Sequence, residues 1–166
     1  MKRVPIILAM LVALAMLAGC AERSLYPVPP TGWVLFCQNN PSDPGCDDYE
    51  HLERLNAYVN GFITYEPEPI GEEVWRVVEP GGTGDCEDYA LTKRVELVKA
   101  GWSLDRLHLA TCVTETGYAH VVLIVEIGQR WVVLDNRYHE PMPFEDLPYR
   151  WLAVQFGDKW LNYQFR

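Results

Sequence analysis

The residues best suited to chemistry open a helix. Gly84-Asp85-Cys86-Glu87-Asp88-Tyr89-Ala90 sets a thiol directly after the run Gly81-Gly82-Thr83-Gly84. A helix N-terminus carries unpaired N–H groups and a partial positive charge, and both favour a thiolate over a thiol. Asp85 suits the N-cap, and Asp88 the answering place in a capping box. The glycines permit a tight entry and let a substrate backbone come close. Carboxylates at 85, 87 and 88 act against the thiolate, so this motif alone also fits an incidental cysteine in a well-capped helix.

A nucleophilic thiol needs a base within hydrogen-bond reach, and the base needs an acceptor to orient it. His120 opens the strand-like run Tyr118–Ile127, and Asp135 closes the next one, Arg130–Asp135. A turn at Gly128-Gln129 pairs Ile127 with Arg130, His120 with Arg137 and Val122 with Asp135. His120 and Asp135 then share one face as diagonal neighbours, and a slipped register would put them directly opposite. Asn136 points to the other face and is the poorer orienter. A strand histidine is usually structural; Cys86, His120 and Asp135 in this arrangement form a rarer set.

The elements that must position these residues read as an α+β domain. Leu52, Leu55, Tyr58, Val59 and Phe62 form one face of a helix over Asp47–Phe62. An acidic, proline-bearing loop follows over Thr64–Glu79, with a short helical piece near Trp75. The helix that Cys86 opens runs to Lys99, with Leu91, Val95 and Val98 toward the core and Gly101 at its C-terminal cap. Strands are predicted at Leu107–Thr114, Tyr118–Ile127 and Arg130–Tyr138. Trp151–Phe156 and Lys159–Phe165 make a further pair around Gly157-Asp158.

Composition bounds what such a domain does. The chain has 166 residues, 49% hydrophobic and 22% charged, with a formal net charge of -9. That length fits one globular domain. The acidic balance argues against a nucleic-acid partner, which needs clustered Lys and Arg. No apolar run reaches the roughly 20 residues of a spanning helix, which excludes a multi-pass membrane protein.

The N-terminal segment reads as an address. Lys2 and Arg3 precede an uncharged apolar stretch, a secretory signal by pattern. Leu17-Ala18-Gly19-Cys20 resembles a bacterial lipobox, so residues 1–19 are expected to be a signal peptide and Cys20 the lipidated residue. Residues 20–31, with Pro27, Pro29 and Pro30, form a semi-rigid tether, and 32–166 the domain. The anchor implies a bacterial envelope protein facing the periplasm, and the absence of Asp after Cys20 favours the outer membrane. Cys37 and Cys46 bracket turn-forming residues and suit a disulfide in an oxidising compartment, contributing roughly 2–3 kcal/mol. Metal binding by that pair is the rival, without a second thiol pair or nearby histidine to complete it. Cys112 lies in a strand-like run and reads as a small buried hydrophobe. His51, His108 and His139 show no partner pattern and read as exposed or structural.

The sequence resembles a known family. Gly-Asp-Cys-Glu-Asp-Tyr-Ala (84–90) with Lys93, Leu97 and Gly101, then Ala119-His120-Val121-Val122-Leu123, then Leu134-Asp135-Asn136 look like the motif blocks of the bacterial transglutaminase-like cysteine proteinases. Asn56 and Asn60-Gly61-Phe62-Ile63-Thr64-Tyr65 are similar too, so the likeness covers about residues 50–140. It implies a papain-like, transglutaminase-type core with the catalytic helix packed on an antiparallel sheet. It further implies Cys86 as nucleophile, His120 as general base and acid, and Asp135 as the orienting carboxylate. The Cys86 backbone N–H is a candidate oxyanion donor, with Trp75 the candidate for a second. In LapG-like members, periplasmic proteases that clip adhesins from the cell surface and release biofilm, acidic residues flanking the cysteine take part in calcium binding. Asp85 and Glu87 hold those positions here, and hard oxygen ligands suit calcium. No organic cofactor is implied. The expected function is hydrolysis of a backbone amide in an envelope protein. A transglutaminase or deamidase using the same three residues, and a non-catalytic calcium- or peptide-binding module, are the alternatives.

Overall fold

The computed structural model describes residues 44–69 and 71–163, without the side chains of 44–47, and all of these belong to the unit Leu35–Arg166. Cys20, Cys37 and the Cys46 side chain, and with them the signal, tether, lipidation and disulfide expectations, lie outside the described residues.

Two helices pack on one antiparallel sheet. Helix α1 spans Pro44–Phe62, starting ahead of the predicted Asp47. Leu52 and Val59 are fully buried as its periodicity requires, but Tyr58 is 56% exposed and packs edge-on to Phe62. A turn earlier, Asn56 takes a buried place on the helix. Helix α2 spans Cys86–Lys99, as its flanking punctuation predicts. At its end Gly101 adopts φ +95, and Gly101 N–H and Trp102 N–H donate to the carbonyls of Val98 and Leu97. That pattern is a Schellman cap, and Trp102 and Leu97 share one core cluster beyond it.

The predicted inward face of α2 is corrected. Val98 is 44% exposed, while Glu87, Asp88, Tyr89, Ala90, Thr92, Lys93 and Leu97 are buried. The first turns of this helix bury polar groups that the loops around them engage, and that overrides apolar periodicity.

The main sheet has the strand order β6-β5-β4-β3-β7-β8. Its strands are β3 Leu107–Val113, β4 Ala119–Ile127, β5 Arg130–Leu134, β6 Met142–Pro143, β7 Arg150–Phe156 and β8 Lys159–Asn162. Ile127 pairs with Arg130 and Leu123 with Leu134, the register predicted from the Gly128-Gln129 turn. Gly128 supplies the positive φ, +61, that such a tight connection needs. Leu109, Leu123, Val125 and Leu134 meet Leu52, Ala90 and Leu97 on the helical side. On the other side Cys112, Val122, Ile124 and Val133 are covered by Phe144, Leu147, Tyr149 and Trp151. Burial of both faces explains the unbroken apolar run Val121–Val125, a pattern that does not alternate.

A small parallel pair, β1 Thr64–Tyr65 with β2 Thr83–Gly84, brings the chain to the start of α2. Between them no helix forms near Trp75. The backbone amides serve α2 instead: Arg76 N–H donates to Asp88 Oδ1 at 2.8 Å and Val78 N–H to Thr92 Oγ1 at 2.9 Å. The glycines of this approach are needed by the chain's own packing. A Cβ at Gly84 would lie 2.7 Å from Asp88 Oδ2 and 3.1 Å from Val78, and one at Gly82 would lie 2.8 Å from Val78.

Candidate active site

Asp85 occupies the N-cap of α2 in extended conformation, but its side chain makes no capping hydrogen bond. Of the expected capping box the answering half is in place, since the Asp88 carboxyl takes a hydrogen bond from the Asp85 backbone N–H, while Asp88 also accepts from Arg76 N–H and faces its guanidinium, with Arg76 Nε 3.3 Å from Asp88 Oδ2. Cys86 follows, half-buried and with a free thiol. Its Sγ donates to Glu87 Oε2 at 3.2 Å. Burial pushes the thiol up to about 12, and Glu87 and Asp85 push the same way, while a hydrogen bond from Val121 N–H pulls it down. The helix terminus alone therefore does not make this thiol acidic, contrary to the simplest reading of the motif.

The Val121 amide matters for a second reason. It belongs to the strand residue that follows His120, so the sulfur is docked on β4 beside the predicted base. His120 is buried, and its Nε2 lies 2.9 Å from Asp135 Oδ1. A carboxylate only accepts, so this contact fixes the proton on Nε2 and leaves Nδ1 as the ring's acceptor.

β5 ends at Leu134, short of the predicted Tyr138, and the reason lies in Asp135 itself. Its Oδ1 also accepts from Arg137 N–H at 2.9 Å, a local side-chain turn that takes the backbone out of the ladder. Tyr149 OH donates to Oδ2 at 2.7 Å, and Arg137 Nη1 in turn donates to Tyr149 OH at 2.9 Å. Arg137 is anchored by Glu115, and the Tyr149 ring lies edge-on to His120 at 5.8 Å. From α1, Asn60 Nδ2 donates to the Asp135 carbonyl at 3.0 Å. Burial drives the Asp135 carboxyl upward, but His120, Tyr149 and the Arg137 amide together outweigh it and hold it below the usual carboxylate range.

Beside the thiol stands an acidic cluster. Oxygens of Glu68, Asp85 and Glu87 lie within 4.8 Å of one another. Burial and a hydrogen bond with Asp85 raise Glu87 to about 7. Asp85 Oδ1 is buried without a hydrogen-bond partner among the described residues. Glu68 is steadied by Val74 N–H and Arg76 Nη1. An all-carboxylate set with an unpartnered buried oxygen has the chemistry of a hard divalent cation site. Asp85 and Glu87 are thus placed together, with Glu68 added from a loop.

Trp75 packs edge-on to Trp160 at 6.3 Å. His51 accepts from Trp102 Nε1, and buried His108 pairs with the Gln155 carbonyl, both structural places. Tyr149, Arg137, Glu68 and Asn60 complete the surroundings without a sequence signal pointing to the site, apart from the Asn60 segment that the family likeness touched.

A helix-borne thiol set against a histidine on one strand and an aspartate just past the end of the next, with the helix on an antiparallel sheet, is a transglutaminase-type layout. Residues 25–164 match the family model described as bacterial transglutaminase-like cysteine proteinase BTLCP, and the chain belongs to that family of cysteine peptidases. Among solved structures it is similar to LapG of Legionella pneumophila. The EGTA-treated form matches with a TM-score of 0.63 and 23% identity, over 82% of this chain and 76% of that one. A second LapG structure matches with a TM-score of 0.60 and 24% identity, over 80% and 76%. The calcium-bound form matches with a TM-score of 0.62 and 22% identity, over 95% and 88%. No curated protein sequence matches the chain.

Proposed function

We propose that this chain is a lipid-anchored periplasmic cysteine endopeptidase that hydrolyses a backbone amide of an envelope protein through Cys86, His120 and Asp135. The observation that carries the reading is the His120–Asp135 pair, its proton fixed on Nε2, beside the strand amide that contacts the Cys86 sulfur. His120 Nδ1 takes the thiol proton as Sγ bonds to the substrate carbonyl carbon. The Cys86 backbone N–H, at the free end of α2, supports the oxyanion. Imidazolium then protonates the departing amine as the C–N bond breaks, leaving a thioester. Water, deprotonated by Nδ1, cleaves the thioester, releases the acid product and returns the proton to sulfur.

Glu68, Asp85 and Glu87 hold calcium in this reading, as the calcium-bound form of the similar LapG suggests. A divalent charge there offsets the carboxylates that otherwise raise the thiol. The test is the rate at which iodoacetamide alkylates Cys86 at neutral pH. It should exceed that of a model thiol in calcium, fall several-fold in EGTA, and fall further in His120→Ala. Equal rates in calcium and EGTA would remove the cation. A rate no faster than the model thiol, unchanged by His120→Ala, would overturn the triad.

The anchor is proposed from Leu17-Ala18-Gly19-Cys20. Cys20→Ala should move the protein from the outer-membrane fraction to the soluble fraction of the envelope, and unchanged fractionation would refute lipidation.

A further inference from the structure

The two oxygens of Asp135 are held in different ways, and the difference bears on His120. The Asp135 side chain is fully buried. Its Oδ1 accepts from His120 Nε2 and from Arg137 N–H, both at 2.9 Å. Its Oδ2 accepts, among the described residues, from the Tyr149 hydroxyl alone, at 2.7 Å.

The direction of that last bond follows from counting protons. A phenol has one proton to give and lone pairs to receive with, a guanidinium can only donate, and a carboxylate can only accept. Arg137 Nη1 donates to the Tyr149 oxygen at 2.9 Å, so the single phenol proton is left for Asp135 Oδ2. Burial and the Asp135 charge drive the phenol upward, so Tyr149 stays a donor. Arg137 is itself braced by Glu115, from the turn between β3 and β4.

The phenol is also rigidly placed. Tyr149 is 5% exposed, its ring lies 5.6 Å from that of Trp151, and its N–H donates to the Leu147 carbonyl at 2.8 Å. It stands one residue before β7, while Asp135 stands one residue after β5, and the sheet puts β4 and β3 between those strands. A single side chain therefore ties together two strand ends on either side of the one that carries His120. The same ring meets the imidazole edge-on, with centroids 5.8 Å apart.

Without the phenol proton, Oδ2 would be a buried anionic oxygen lacking a donor, which is more costly than the lost bond itself. Two responses relieve it. The carboxylate twists, and Oδ1 loses its alignment with the imidazole. Otherwise it takes up a proton, becomes a donor toward Nε2 and drives the ring proton to Nδ1. In either case Nδ1 is no longer reserved to accept from the thiol.

We infer that Tyr149 is a positioning residue, whose hydroxyl, aimed by Arg137, holds Asp135 Oδ2 so that Oδ1 faces His120 and keeps the imidazole proton on Nε2. This rests on Cys86, His120 and Asp135 forming the reacting set. Tyr149 touches no reacting atom and acts through Asp135.

The test uses the full chain in calcium buffer with Tyr149→Phe, which keeps the ring and removes the proton. Iodoacetamide alkylation of Cys86 at neutral pH should fall about 10-fold or more, the scale of a hydrogen bond to a charged group. Melting should drop by only about 5 °C. The discriminating readout is the 15N spectrum of the His120 ring, taken in a Cys86→Ala background on the alkaline plateau where the ring is neutral. With Tyr149 present the proton should sit on Nε2, and with Tyr149→Phe it should spread to Nδ1. Placing 4-aminophenylalanine at position 149 restores an N–H donor and should recover most of the rate and the Nε2 signature. Wild-type rate and tautomer in Tyr149→Phe overturn the proposal. So does a slower rate with an unchanged tautomer, or failure of Tyr149→Phe to fold, since each marks a structural hydroxyl. A slow His120→Ala beside a wild-type Tyr149→Phe sinks Tyr149 alone. His120→Ala alkylating at the wild-type rate sinks the triad beneath it.

Discussion

Cys86→Ala is expected to leave the fold intact and reduce cleavage of envelope proteins to background, a loss of at least about 10³-fold. The appearance of new protein N-termini, measured by mass spectrometry on an envelope extract, reads the activity whichever envelope protein is cut. The stability change should stay within about 1 kcal/mol, because the side chain is half-buried and its hydrogen bonds are with one carboxylate and one amide. Removing the thiol also removes the donor that helps keep Glu87 ionised, so Glu87 should titrate higher still in the variant. New N-termini persisting at the wild-type rate would end the assignment of Cys86 as nucleophile.

Asp135→Asn should lose both function and stability. The native carboxylate accepts from His120 Nε2, Arg137 N–H and Tyr149 OH. An amide of the same shape presents two N–H donors on one side, so at least one of those donors loses its acceptor and His120 can settle in the wrong tautomer. Loss of the orienting acid in a comparable triad lowers turnover about 10⁴-fold, and a loss of that order is expected here. Breaking a buried charged network should destabilise the fold by roughly 3 kcal/mol.

The pH dependence has a definite sign. Asp135 is held below the usual carboxylate range in the folded chain, so the unfolded chain takes up a proton first as pH falls. Its stabilisation is complete above about pH 4 and is lost as pH drops through the lower folded value. The melting gap between wild type and Asp135→Asn should accordingly be widest near neutrality and close in acid. A gap that does not change with pH would show that the carboxylate's charge is not what stabilises this corner.

The sequence was most informative where local chemistry decides structure. Gly84-Asp85 and Gly101 bracket α2 because a helix must begin after a flexible entry and end where a residue adopts positive φ. Gly128 fixed the β4–β5 register, and with it the shared face of His120 and Asp135. Periodicity failed on α2, where Asp88, Thr92 and Lys93 are buried, the first two accepting loop amides, while Val98 faces water. It also missed Tyr149 and Glu68, because each reaches the site through a fold-level encounter between distant segments. The helical piece near Trp75 failed for a related reason, since the amides that would have formed it are engaged by Asp88 and Thr92.

With Val78 and Asp88 so close to Gly84, the peptide that delivers the thiol is indexed against the very helix it leads into. Sulfur placement is then governed by the clearance between position 84 and those two side chains. Evolutionary drift in this protein should be free along the outer flank of the helix yet nearly frozen at the single hydrogen that serves position 84 as a side chain.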